Sequence, residues 1–166
     1  MTARQQVNLP QTVRIRHYQP RDCGDVWRLH LEGVEQTASE YPAAMKGYED
    51  DLRNIEETYL SEGSNFWVID APEGLAGMAA IFRIDAKTGR LRRMRITEAW
   101  RRRGLARALL DTAVEFCRES GYECVILDTT EQQTAAHKLY EDYGFSRTGE
   151  RMIGPYRVFD YEMRIG

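Results

Sequence analysis

Arg101-Arg102-Arg103-Gly104-Leu105-Ala106 is the stretch whose reading decides the rest of the chain. It joins a strand expected over Arg90–Ile96 to a helix expected over Leu105–Ser120. On that helix Leu105, Leu109, Val114, Phe116 and Cys117 mark an apolar face, broadened by Leu110 and Ala113. No Ser, Thr, Asp or Asn stands at the usual capping position; Gly104 and a run of arginines stand there instead. A helix start leaves backbone N–H groups without intrahelical partners and carries partial positive charge. Arginine there opposes the macrodipole, so a mere connector would tend to avoid it. The arrangement suits an external anion, above all a phosphate, as the group that completes the cap. The loop lacks the second glycine and the lysine of G-x-x-x-x-G-K-[ST], and it is not G-x-G-x-x-G.

The chain has 166 residues, about one domain, with 42% hydrophobic and 30% charged residues, as in an ordinary globular protein. No window approaches the ~18 consecutive apolar residues of a membrane-spanning helix. Met1–Gln11 is polar and lacks an apolar signal region, which reads as a flexible leader before a single domain over 12–166 in a cytoplasmic protein. Cys23, Cys117 and Cys124 are odd in number and lack metal spacing, so free thiols are expected, buried for Cys117 and Cys124. His17, His30 and His137 are scattered, and no metal site is expected. The net charge of −3 argues against a nucleic-acid binder. Yet Arg90, Arg92, Arg93, Arg95, Arg101, Arg102, Arg103 and Arg107 crowd one strand–turn–helix unit, relieved only by Glu98. That patch fits a compact polyanion better than a long duplex.

In chain order, Val13–Tyr18 alternates as a first strand, and Asp22 or Asp25 caps a helix carrying Val26, Trp27, Leu29, Leu31 and Val34. Tyr41–Tyr48 is looser. Leu52, Ile55 and Tyr59 then predict one helix from about Glu49 to Leu60. Asn65–Asp70 and Leu75–Asp85 form a hairpin with Gly77 marking a bulge, and Thr88-Gly89 turns into the strand Arg90–Ile96. Glu123–Asp128 reads as a strand buried on both faces. Thr130-Glu131-Gln132-Gln133 has the capping-box form, opening a helix with Ala136, Leu139, Tyr140 and Tyr143 on one side. Phe145–Arg147 and Tyr156–Arg164 close the sheet around Ile153-Gly154-Pro155. The order is β-α-α-β-β-β-α-β-α-β-β, an α/β fold with a mixed, mostly antiparallel sheet flanked by helices. The strands on either side of the arginine-led helix are expected to be parallel neighbours, with a ligand at their carboxyl ends.

This order, with R-x-x-G-x-A after the fourth strand and L-Y-E-D-Y-G-F near the next helix end, resembles the GNAT superfamily of acyl-CoA-dependent N-acetyltransferases. The likeness runs from Val13 to Ile165, with its familiar core at Leu91–Phe145. It implies that Arg101, Gly104 and Ala106 match the loop that cradles the pyrophosphate of coenzyme A, with backbone N–H groups from Arg102 to Arg107, Arg103 and Leu105 included, as donors. It implies that Met94, Arg95 and Ile96 pair their backbone with the pantetheine arm and the thioester carbonyl. Tyr140 falls on the tyrosine that protonates the leaving thiolate. Gln133 stands where an asparagine often contacts the cofactor. The glutamate base often found on the fourth strand is missing, which leaves Glu35, Glu40, Asp128 or a water chain.

The implied reaction is direct acetyl transfer from acetyl-CoA to the primary amine of a small molecule. Arg92, Arg93 or Arg95 would reach the acceptor groove, between walls from Trp67, Tyr41 and Tyr59, and an arginine there suits a carboxylate-bearing acceptor such as an amino acid. A protein N-terminal or lysine acetyltransferase, a non-catalytic acyl-CoA sensor, and a polyanion- or nucleic-acid-binding domain are the competing readings. The resemblance also allows a homodimer paired through Tyr156–Tyr161.

Overall fold

In the computed structural model, residues 8–37 and 47–166 are described, residues 35–37 by their backbone only. The expected base candidates Glu35 (its side chain) and Glu40, the wall residue Tyr41, and most of the leader therefore lie outside the described residues.

The described strands are β1 (Arg14–His17), β2 (Asn65–Ala71), β3 (Gly74–Arg83), β4 (Thr88–Ile96), β5 (Cys124–Thr130), β6 (Ser146–Ile153) and β7 (Tyr156–Arg164), forming one sheet in the order β1-β2-β3-β4-β5-β7-β6. Only β4 and β5 pair in parallel; every other pairing is antiparallel. The described helices are α1 (Cys23–Thr37), α2 (Asp50–Arg53), α3 (Ile55–Tyr59), α4 (Leu105–Glu119) and α5 (Thr134–Tyr143). None is long and apolar enough to cross a membrane.

Strand alternation sends two sets of side chains to opposite faces of the sheet. Phe66, Val68, Met78 and Ala80 pack with Val26, Leu29, Leu52, Ile55 and Tyr59 from α1–α3. Trp67, Ile69, Ala79, Ile81 and Leu91 pack on the other face with Leu105, Leu109, Leu110 and Ala113 of α4 and Tyr140 of α5. The sheet is thus a central layer between two helical ones. Cys117 and Cys124 are buried free thiols, as the pattern predicted, while Cys23 is exposed.

Four local readings need correction. The single helix expected over 49–60 is two, α2 and α3, broken at Asn54, whose φ of −138° is non-helical. The apolar spacing could not see the break, because Leu52 and Ile55 stay buried on the same side across it. The capping box at Thr130 does not form. Thr130 ends β5, and α5 starts at Thr134 after Gln133, without a side-chain cap. The bulge expected at Gly77 falls one residue earlier, at Ala76, between the pairs Ile69↔Gly77 and Asp70↔Leu75. Gly77 instead allows close approach, since a Cβ there would meet the Arg95 carbonyl oxygen at 2.7 Å. Finally, the turn before β4 lies ahead of Thr88, which already belongs to the strand.

The feature that shapes the molecule lies on β4. Arg92 pairs with Ala80 and Arg95 with Met78, so Arg93 and Met94 together face Ala79. This is a β-bulge, and Arg93 adopts a left-handed φ of 57° within it. A bulge bends its strand and adds twist. The β4–β5 pairing ends just before it, at Arg90↔Ile126. Beyond that point β5 continues against β7 to Thr130 and β4 against β3 to Ile96. The two parallel strands therefore splay apart toward their carboxyl ends.

Candidate active site

The splay opens a cleft of about 920 Å³. Met94, Arg95 and Ile96 of β4 form one wall, and Gln133, Leu139 and Tyr140 contribute the opposite one. Arg101, Arg102, Gly104, Leu105, Ala106 and Arg107 close its end at the start of α4. The expected site residues thus converge on one cavity, with Arg103 the exception: it is absent from the lining, and its guanidinium stacks over Trp100 at 4.6 Å.

The loop before α4 is held in shape by its own side chains. Arg101 donates from Nε to the Ile96 carbonyl at 3.2 Å, tying the loop to the end of β4. Arg107 lies over the Tyr143 ring at 4.6 Å and 3.8 Å from Asp111. Arg102 forms no ion pair and no side-chain hydrogen bond with a described residue. Arg102 and Gly104 both take left-handed backbone conformations, φ 60° and 80°. The N–H groups of Arg102, Arg103 and Gly104 meet no backbone carbonyl among the described residues. Those of Leu105, Ala106 and Arg107 open the helix, where no i−4 partner exists. Successive unpartnered N–H groups around left-handed turns form a concave nest for an anion, at the positive end of α4.

Tyr140 is buried, with its ring against Phe145 and Tyr161 at 5.8 and 6.3 Å. Its hydroxyl bonds to no described residue. Burial raises the phenol above its ordinary value near 10, Asp128 and Tyr48 push the same way, and the Arg95 charge opposes them. Tyr140 is therefore a neutral proton donor through the ordinary pH range. Gln133 lines the cleft, yet its side-chain oxygen accepts from Thr129 Oγ1 at 2.5 Å.

The walls expected for an acceptor groove are partly elsewhere. Trp67 is buried on the α4 side against Phe116, 5.2 Å between centroids, because odd-numbered residues of β2 face that layer. Tyr59 is fully buried and donates to Asp51 Oδ2 at 2.5 Å. Arg93 is no groove residue either: its Nε and Nη2 bind Asp51 at 2.9 and 2.5 Å, and it donates to the Tyr48 carbonyl. Its guanidinium also lies 4.6 Å from the Tyr48 ring centroid. This network clamps the bulge to α2 and sets Tyr48 within electrostatic reach of Tyr140. Nothing in the sequence marked Tyr48 or Asp51, since the Arg93 that both engage lies more than forty residues away.

Two carboxylates near the cleft are committed to other partners, while Glu98 lines the cleft itself. Asp128 pairs with Arg151 at 2.5 Å. Glu32 accepts from Thr97 Oγ1 and from the Glu98 N–H, both at 2.9 Å in their shorter contacts. Among the described residues no group of three His, Cys, Asp or Glu side chains is placed to hold a metal ion.

Residues 29–145, from within α1 to just past α5, match the sequence model of the Acetyltransferase (GNAT) family. The chain belongs to the GNAT family. Its members use acetyl-CoA as acyl donor. Human N-acetyltransferase 8 is 40% identical over 106 residues, covering 60% of this chain and 47% of the relative. The N-acetylaspartate synthetase of Danio rerio is 42% identical over 102 residues, 60% of this chain and 36% of that protein. The chain thus spans about half the length, or less, of these curated relatives. The GNAT fold is matched by an acetyltransferase from Streptococcus agalactiae, with a TM-score of 0.80 at 23% identity over 93% of this chain and 99% of that one. It is matched too by yncA of Salmonella typhimurium, solved with its cofactor acetyl-CoA, with a TM-score of 0.75 at 18% identity over 93% and 94% of the two chains.

Proposed function

We propose that residues 12–166 act as one N-acetyltransferase domain, moving an acetyl group from acetyl-CoA to the primary amine of a small molecule by direct attack in a ternary complex. The observation that carries this reading is the convergence, in one splayed cleft, of a nest of N–H donors at the start of α4 and a neutral, buried tyrosine on the facing wall.

The residues fit coenzyme A. The nest of Arg102–Arg107 suits a pyrophosphate, and the Arg102 guanidinium adds a positive charge beside it. The free wall of β4 at Met94–Ile96 suits an extended, amide-bearing arm. Acetyl-CoA supplies the acyl group: the neutral amine forms a C–N bond as the C–S bond breaks, leaving an amide and the CoA thiol. In this reading Tyr140 delivers the proton that the sulfur takes up, and its raised pKa supports this by keeping the proton available. No covalent relay through cysteine is required, and none is favoured. The Cys117 thiol is buried and pushed up to about 12 by that burial, so it holds almost no thiolate near neutrality. Asp128 and Glu32 are committed to other partners. In this reading the protonated amine loses one proton to solvent through the open cleft, past Glu98, before attack. The proton that nitrogen sheds as the amide forms replaces the one Tyr140 has given. Rates should therefore rise with pH along the titration of the acceptor amine.

Calorimetric titration with acetyl-CoA, followed by assay on small amines and on peptide N-termini, tests the reading. Tyr140→Phe should lower kcat by about 10²- to 10⁴-fold while acetyl-CoA binds as before. Loss of binding instead would make Tyr140 a structural residue, and acetylation confined to peptides would transfer the function to protein substrates.

A further inference from the structure

The bulge sorts the arginines of β4 into separate tasks. Arg90 lies where β4 and β5 still pair, below the cleft. Arg93 is consumed by Asp51 and Tyr48, and Arg92 stands 3.7 Å from the same carboxylate. Arg95 alone of the four lines the cleft. It makes no ion pair and no side-chain hydrogen bond with any described residue, although Glu98 lines the same cavity and Glu32 sits beside Gly33.

Gly33 of α1 makes room for this side chain. A Cβ on Gly33 would lie 2.5 Å from Arg95 Nε, 2.7 Å from Cζ and 2.9 Å from Cδ. The helix backbone thus forms a slot that fixes the guanidinium in the cleft, close enough to Tyr140 for its charge to act on the phenol. A planar fork of donors, positioned against a helix backbone and near the reacting centre, is suited to bidentate capture of a carboxylate.

We propose that Arg95, seated in the Gly33 slot, selects the acceptor by binding its carboxylate, so that the substrates are free amino acids or amines of that kind. This rests on the acetyl-transfer reading above and narrows it: an amine flanked by a carboxylate is taken, and the same amine with that group amidated is rejected. Arg95 acts here through its side chain, independently of its backbone contribution to the cleft wall.

The test compares leucine, phenylalanine, aspartate and lysine, each as the free amino acid and as its α-carboxamide, with acetyl-CoA binding measured separately. For the preferred amino acid the wild type should show a kcat/KM at least ~30-fold above that of its amide, the scale of one desolvated charge pair. Arg95→Gln should collapse that ratio to near one. Gly33→Ala gives an independent arm. Alanine is the better helix former, and the atoms it meets are the movable end of Arg95, so the fold should hold while the guanidinium is displaced and the ratio falls. Equal rates on acids and amides in the wild type, or a preference that survives Arg95→Gln, would overturn the assignment. Acetyl-CoA binding with no amino acid or amide acetylated would overturn it too, leaving the cofactor site intact. Absence of acetyl-CoA binding would instead remove the acetyl-transfer reading itself, and this inference with it.

Discussion

Arg93 and Arg102 share a left-handed backbone, with φ of 57° and 60°, and little else. Such a conformation costs a non-glycine residue roughly 1–2 kcal/mol, so each needs a reason to persist. Arg93 is buried and held from within by Asp51, Tyr48 and, through Asp51, Tyr59. Arg102 is exposed in a loop whose N–H groups from Arg102 to Gly104 meet no backbone carbonyl among the described residues, with no described side chain compensating it. One strained arginine bends a strand to make the cleft, and the other shapes a loop to fill it. The first should therefore matter to folding and the second to binding.

The largest effect is expected at Arg93. Arg93→Ala strands the Asp51 carboxylate in the interior, which should cost about 3–5 kcal/mol, read as a fall in the denaturant midpoint at constant m. Burial pushes the Asp51 carboxyl up, but the Arg93 hydrogen bonds and charge, helped by Tyr59, hold it below the usual carboxylate range. A loss under ~1 kcal/mol, the scale of a surface pair, would show that the clamp is not what holds the bulge. Next comes Gly104→Asp. Its φ of 80° and the added charge at the nest should weaken acetyl-CoA binding at least ~100-fold, about 2.7 kcal/mol. The fold should lose only the ~1–2 kcal/mol of the backbone penalty. A variant that binds normally would move the phosphate away from this loop.

Acid sharpens the contrast further. The ion pair of Asp51 contributes stability above the ordinary carboxylate pKa and loses it only as pH falls through the still lower folded value, so it stays intact from pH 8 to 5. His30 behaves differently. Burial lowers its pKa below 6.5 despite the Glu49 hydrogen bond, so its contribution is present above 6.5 and is lost as pH falls through the folded value. Denaturant melts between pH 7 and 5 should show a decline of at most ~1.4 kcal/mol per unit for one proton. His30→Gln should flatten it, and an unchanged slope would assign the decline to another group.

The two regions also differ in how far the sequence discloses them. The α4 loop is a local signal: a helix start without a capping side chain, with glycine and arginine in its place, is visible within six residues. The parallel β4–β5 pair follows from an equally local pattern, whereas Tyr140 stands out from the other apolar residues of its helix face only through the family resemblance. The clamp is not local. Asp51 and Arg93 are 42 residues apart, and beside Asp50 an Asp51 reads as a solvated charge. Alternation predicts that Trp67 is buried but not which helical layer it meets, so it was expected in a groove and lies under α4. Thr130 carries a capping signature, but β5 runs through it to pair with Val158, and the strand takes precedence. Each miss is a case in which tertiary pairing overrode a local pattern.

Arg102→Gly carries the smallest effect and the sharpest separation. Glycine adopts the left-handed conformation without the penalty, offset by the extra freedom it gives the unfolded chain, so the net change in stability should stay within about 1 kcal/mol. Loss of one exposed guanidinium should weaken acetyl-CoA by about two- to fivefold, and the loss should shrink as salt screens the charge. Titrations at low and high salt, paired with denaturant melts, measure both. If the variant instead unfolds several kcal/mol more easily, Arg102 is held by protein contacts as Arg93 is, and the division between an arginine that builds the cleft and one that serves its ligand fails.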